Sequence, residues 1–489
     1  MTDKVSLGKL ATGVPGLDVL LGGGLNEFSF NLITGAPGCG KTTLAHQIMF
    51  ALANPQRRAL FFTVLGEPPL KMLRYQQQYS FFDTDKVNTS IRYVNLAADL
   101  RAGDFNGVLE RITQEVEDFA PSLVFVDSFR SVIQTGKGGI EGMSDLQFFV
   151  QELGTRMTSW MATTFLIGEY QHNEVEANPI TTVADGMIAL SQIHDRNAVV
   201  RKIRIVKMRG QAHMSGSHTF RITDDGLRIY PRLLPPLADD REPGVSVDRD
   251  PRRIATGVPG LDDMLHGGLP QGHSLLAIGP TGCGKTIMGS KFLRAGVERG
   301  EKGVIMCFEK GTARLRNAEM AAMIQSGQVS VVESRQIDMT AEEFEDDLLI
   351  AIERSGARRV VIDSLSEFSL YLAPECRRDL REGVFRILSS LAKRGVSTLV
   401  TVGLDDRSVD MNYARADMAY LTDAIVAMRY AETDGHVRRF ISVVKVRGTS
   451  HSHDLREYRI TDDGIDIDTI PAQVNGILYG RVNGVSSDE

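Results

Sequence analysis

The chain has 489 residues, 42% of them hydrophobic and 24% charged, a balance that excludes a disordered chain and leaves room for two or three domains. No run of about 18 apolar residues occurs, which excludes a membrane-spanning helix. The net charge of −7 speaks against nucleic acid as the main partner.

The N-terminus, Met1-Thr2-Asp3-Lys4, lacks the apolar stretch of a secretion signal, so the expected location is the cytoplasm. Thr12-Gly13-Val14-Pro15-Gly16-Leu17-Asp18 then opens the first periodic region. An apolar strand over 31–35 runs into Gly35-Ala36-Pro37-Gly38-Cys39-Gly40-Lys41-Thr42-Thr43, a P-loop pattern at the start of a helix. Further strands are expected over 59–65, 123–127 and 163–168, with an antiparallel strand over 199–208 near the end of the sheet. That last strand closes on Lys207-Met208-Arg209-Gly210, and Arg221-Ile222-Thr223-Asp224-Asp225-Gly226 follows.

The chain then starts again. Thr256-Gly257-Val258-Pro259-Gly260-Leu261-Asp262 repeats the opening, and Gly279-Pro280-Thr281-Gly282-Cys283-Gly284-Lys285-Thr286 repeats the P-loop at the same spacing. Strands are expected over 274–279, 303–308, 359–363, 397–403 and 438–446. Lys445-Val446-Arg447-Gly448 and Arg459-Ile460-Thr461-Asp462-Asp463-Gly464 complete the second copy. So long a period is a duplicated domain rather than a solenoid. Strands alternating with helices give each copy an α/β fold, a mostly parallel sheet flanked by helices. The reading is a first domain over 1–236, a Pro-rich linker over 237–252, a second domain over 253–470 and a loose C-terminal tail over 471–489.

P-loop glycines turn backbone N–H groups inward around phosphates, and the helix N-terminus adds positive charge. Gly35, Gly38, Cys39, Gly40 and Thr43 thus belong to one nucleotide site, and Gly279, Thr281, Gly282, Cys283 and Gly284 to a second. Lys41 and Lys285 would reach the β- and γ-phosphates of ATP, and the Thr42 and Thr286 hydroxyls would ligate Mg²⁺. A carboxylate from a neighbouring strand must share that ion; Asp127 and Asp363 each close an apolar run of matching form. Hydrolysis also needs a group that orients the attacking water, and the candidates are Glu67 and Glu309. Lys207 with Arg209, and Lys445 with Arg447, alternate along strand ends and are suited to grip a phosphate of a neighbouring subunit.

Four cysteines, Cys39, Cys283, Cys307 and Cys376, have neither metal-site nor disulfide spacing. Cys39 and Cys283 stand where a helix N-terminus and a lysine lower a thiol pKa, although a small side chain filling the loop explains them more simply.

On these motifs the chain resembles the KaiC proteins, double-domain members of the RecA-like ATPase superfamily, over nearly its whole length. The resemblance implies two tandem RecA-like P-loop NTPase domains in a homohexameric double ring, with ATP held between adjacent subunits. It implies that Lys207 and Arg209 serve the first-ring nucleotide of the next subunit, and Lys445 and Arg447 the second-ring nucleotide. A regulatory protein partner that senses the nucleotide state follows from the same likeness. Clock-type members carry two adjacent glutamates after the second strand of each domain; here the pairs read Gly66-Glu67 and Glu309-Lys310. Their phosphoacceptor pair, aligned on Thr422-Asp423, falls on Ala419 and Tyr420. An ATPase with little autophosphorylation is therefore expected. The alternatives are an autokinase using a displaced hydroxyl such as Thr422, and a DNA-acting RecA-like ATPase, against which the net charge and the lack of any Cys-x-x-Cys both speak.

Overall fold

The computed structural model describes residues 8–63, 69–97, 99, 105–127, 151–157, 159–169, 180–232, 252–308, 318–333, 337–404, 420–433 and 435–471. The chain forms two compact units, divided after Arg232.

The first unit is built on nine strands: β1 (Phe30–Gly35), β2 (Ala59–Thr63), β3 (Ile91–Asn95), β4 (Leu123–Asp127), β5 (Thr163–Gly168), β6 (Gly186–Asp195), β7 (Ala198–Met208), β8 (His218–Thr223) and β9 (Gly226–Tyr230). Their order across the sheet is β9-β8-β7-β6-β1-β5-β4-β2-β3. Pairing is parallel from β6 to β3 and antiparallel from β6 to β9. The central strand β1 is buried along its whole length, as its uninterrupted apolar run requires of a strand covered on both faces. Alternation divides its side chains. Ile33 packs with helix α1 (Lys41–Leu52) through Leu44 and Ile48, while Leu32 faces α2 (Phe105–Phe119) through Ile112 and Val116. Beneath α1, Phe61, Phe125 and Phe165 stack across three strands with ring centroids 6.0 and 4.6 Å apart. This gives the helix a stiff apolar floor.

The second unit repeats the plan with β10 (Ser274–Pro280), β11 (Gly303–Cys307), β12 (Val329–Glu333), β13 (Arg359–Asp363), β14 (Ser397–Leu404), β15 (Ala424–Thr433), β16 (His436–Val446), β17 (Leu455–Thr461) and β18 (Gly464–Pro471). Their order is β12-β11-β13-β14-β10-β15-β16-β17-β18. Helix α3 (Lys285–Val297) covers one face through Met288 and Phe292. The other face is covered by α4 (Ala341–Ser355) and α5 (Leu380–Lys393).

The fold is therefore α/β, two tandem RecA-like domains. The expected strands are present, β2 being described as far as Thr63, with 64 and 65 outside the described residues. Strands β3, β6, β8, β9, β12, β15, β17 and β18 went unanticipated. Strand β3 mixes Ile91 and Val94 with Arg92 and Tyr93, an edge pattern too short to read locally, and β6 turns polar beyond Leu190.

Candidate functional site

Each P-loop joins the C-terminal end of the central strand to a helix. Gly40 and Gly284 precede the helices with φ of 100° and 99°, a conformation that favours glycine. A Cβ on Gly40 would also lie 2.7 Å from Ile222 Cδ1. Neither helix start has a side-chain cap or an acidic residue in its first turn, so its orphan N–H groups are left to the loop, a setting for an anion. Lys41 Nζ donates to the Ala36 carbonyl at 2.9 Å, and Lys285 Nζ to those of Gly279 and Pro280 at 2.8 and 2.7 Å.

The anticipated Thr–Asp pairs come together in both domains. Thr42 Oγ1 donates to Asp127 Oδ2 at 2.6 Å, and Thr286 Oγ1 to Asp363 Oδ2 at 2.9 Å. A cavity of about 350 Å³ in the first domain is lined by Gly38, Lys41, Thr42, Thr63, Asp127 and Glu169, among others. Burial pushes the Asp127 carboxyl up to about 6 and Glu169 adds to this, against the Thr42 hydrogen bond and the Lys41 charge. A Thr hydroxyl and a carboxylate beside a lysine and an uncapped helix suit a magnesium-bound polyphosphate.

The thiols correct one expectation. Burial raises the pKa of Cys39 and Cys283 and outweighs the neighbouring lysines. Both are fully buried, each with its Sγ 2.7 Å from where a Cβ on Gly35 or Gly279 would stand. They fill the space under the loops. One helical turn past Thr42, His46 donates from Nδ1 to the Thr42 carbonyl at 2.7 Å and packs on Phe61. Burial pushes its pKa down to about 4 and keeps it neutral.

The Lys–Arg pairs lie elsewhere. Along β1 and β6, Asn31 pairs with Gly186 and Gly35 with Leu190; Gly186 then pairs with Met208 of β7. Arg209 is therefore at the N-terminal edge of the sheet and the P-loop at the C-terminal edge. The four residue steps from Asn31 to Gly35 alone span roughly 13 Å. Arg209, half-exposed in the turn just after β7, donates to Asp185 Oδ1 at 3.1 Å and to the Thr182 carbonyl at 2.7 Å. Burial, with the nearby Arg209 charge adding to it, lowers the pKa of Lys207. In the second domain Lys445 Nζ donates to the Thr422 carbonyl at 2.9 Å and Arg447 Nη2 to that of Tyr420 at 2.8 Å. Glu67, Glu309 and Ala419 lie outside the described residues.

A model of the KaiC ATPase family matches the chain twice, over residues 10–233 and 254–472. The chain belongs to the KaiC ATPase family. Similar proteins include the circadian clock oscillator protein KaiC of Picosynechococcus sp., 26% identical over 98% of this chain and 93% of that protein. The KaiC of Thermosynechococcus vestitus is 26% identical over 98% and 93%, and that of Prochlorococcus marinus 25% identical over 98% and 97%. Among the described residues no helix is long and apolar enough to cross a membrane.

The two KaiC-type domains differ where strand register makes them comparable. Thr401 Oγ1 donates to Asp363 Oδ1 at 2.6 Å, whereas its place in the first domain, opposite Asp127, is taken by Ile167. Glu169 follows Gly168 of β5 beside Gly35; the matching position beside Gly279 is Gly403. Gln192 donates to the Gly38 carbonyl at 2.7 Å, and in the second domain the Tyr430 hydroxyl donates to that of Thr281 at 3.4 Å. No motif in the sequence marks Glu169, Gln192 or Thr401. Only the order of the strands places them at the P-loop.

Proposed function

We propose that the protein is a homohexameric, double-ring ATPase of the KaiC type, with twelve-fold use of one design: a P-loop from one subunit and a Lys–Arg pair from its neighbour. In this reading Lys41 and Lys285 hold the β- and γ-phosphates, while Thr42 with Asp127, and Thr286 with Asp363, hold magnesium. That ion neutralises charge on the phosphates. Glu67 and Glu309 orient the attacking water. The domain limits given above, the cytoplasm as location and a regulatory protein partner that reads the nucleotide state are part of the same proposal.

One observation carries it. Arg209 and Arg447 stand at the sheet edge opposite their own P-loops, so neither can serve the nucleotide of its own domain. An arginine of this kind supplies charge in trans, and a head-to-tail contact that closes gives a ring. The carbonyls and carboxylates on which both arginines now rest, Thr182 and Asp185 or Tyr420 and Asp423, keep them ordered at that edge.

Hydrolysis assays and native mass spectrometry with Mg-ATP test the proposal. Nucleotide bound only by the assembled site stabilises the assembly, so Lys41→Ala with Lys285→Ala should abolish hydrolysis and leave mostly smaller species. A double variant that forms rings as well as the parent, without nucleotide, would overturn the assembly claim.

A further inference from the structure

Glu169 is a carboxylate in a cavity otherwise arranged for an anion. It lines the same first-domain space as Lys41, Thr42 and Asp127, and its charge bears on both Asp127 and Cys39. Strand β5 fixes its place, because Gly168 pairs with Thr34 and sets the next residue beside the start of the P-loop. A carboxylate next to a bound polyphosphate is repelled unless a cation or its hydration shell lies between them. Asp127 already takes the Thr42 hydroxyl, and magnesium keeps several of its waters. A second carboxylate of this kind is placed to accept from such a water. The second domain solves the problem differently. Gly403 has no side chain to offer, and Thr401 instead tethers Asp363 from the side away from Thr286.

We propose that Glu169 is a positioning residue of the first-domain site, holding a water of the magnesium shell, and that the matching Gly403 leaves the second-domain site without this contact. The inference rests on the P-loops being nucleotide sites, as proposed above.

The test uses the full chain carrying Lys285→Ala, so that the first-domain sites alone are read. Mn²⁺ binding in the presence of a non-hydrolysable ATP analogue is followed by the electron paramagnetic resonance of free Mn²⁺. Removing an outer-shell partner typically costs 10- to 100-fold in metal affinity, so Glu169→Gln should weaken Mn²⁺ by about tenfold or more. Analogue affinity without metal should stay the same or rise, and kcat should fall further than KM changes. Glu169→Asp, which keeps the charge, should recover part of the loss and guards against a folding artefact in the Gln variant. Mn²⁺ affinity of Glu169→Gln within about twofold of the parent, far short of that range, while Thr42→Ala still weakens it, would overturn the role of Glu169 alone. A parent that binds no analogue would remove the nucleotide-site reading and this inference together.

Discussion

Tyr458 donates its hydroxyl to the Cys283 carbonyl at 2.6 Å, and both residues are buried. The bond ties β17 to the second P-loop from below. In the first domain the corresponding residue is Phe220, buried under Gly40 with no hydroxyl to offer. Tyr458→Phe should therefore leave the Cys283 carbonyl unpaired and cost about 1–3 kcal/mol. Nucleotide affinity at the second site should fall with it. Denaturant melts, and analogue titration in a Lys41→Ala background, check both effects. An unchanged midpoint would mean that the hydroxyl contributes nothing to the loop.

A pH dependence follows from Asp127 in the nucleotide-free, metal-free protein. Its folded value of about 6 lies above the unfolded one. Its contribution to stability therefore falls as pH rises from about 4 to 6, and the loss persists above that. His46, held near 4, acts in the opposite sense: stability falls as pH drops below about 6.5, where the unfolded chain takes up the proton. The two slopes offset each other, so substitution must separate them. Asp127→Asn should be more stable than the parent at about pH 7.5, by an amount on the order of 3 kcal/mol at most, and the difference should shrink toward pH 4. Thermal melts in chelator at several pH values measure it. A difference constant across that range would show that Asp127 titrates normally.

Phosphorylation near the second-domain strand edge should be negligible. Thr422 is only 1% exposed, and its carbonyl is engaged by Lys445. Tyr420 is exposed, and because a tyrosine hydroxyl lies farther from the backbone than that of Ser or Thr, a site shaped for a short side chain would misplace it. Transfer needs a hydroxyl held in line with the γ-phosphate, and misplacement by about 1 Å costs roughly 10² in rate. Phosphopeptide mass spectrometry after long incubation with Mg-ATP should find neither residue modified. Stoichiometric phosphate on either one, lost with Lys285→Ala, would promote the autokinase reading.

What the sequence made legible was local chemistry. The P-loops, and the Asp at the end of a neighbouring apolar strand, can be read because each is a short run whose residue types are set by one contact. The Thr42–Asp127 and Thr286–Asp363 bonds join residues that such runs had already singled out. Burial was not legible, and it reversed the expected pKa shift of Cys39 and Cys283. Strand order was not legible either. It alone brings Glu169 to the cavity lined by Thr42 and Asp127, sets Thr401 against Asp363, and sends Arg209 to the far edge, because neighbours across a sheet are distant in sequence. The half-polar edge strand β3 was missed for a related reason: it has one partner strand, β2, and little apolar periodicity of its own.

The central claim is that each first-domain site is completed by the neighbouring subunit. It is tested most directly by mixing Lys41→Ala and Arg209→Ala subunits, both in a background whose second-domain hydrolysis is silenced by Glu309→Gln, which leaves Lys285 to hold nucleotide and keep the ring assembled. Each variant alone should be nearly inactive, since a trans arginine is worth on the order of 10³ or more in rate. In mixed rings some sites join an intact Lys41 to an intact Arg209, and hydrolysis should rise well above both parents, greatest near equal proportions. Activity that never exceeds the parents at any ratio, in rings that native mass spectrometry shows to be mixed, would contradict the claim and place Arg209 outside the site.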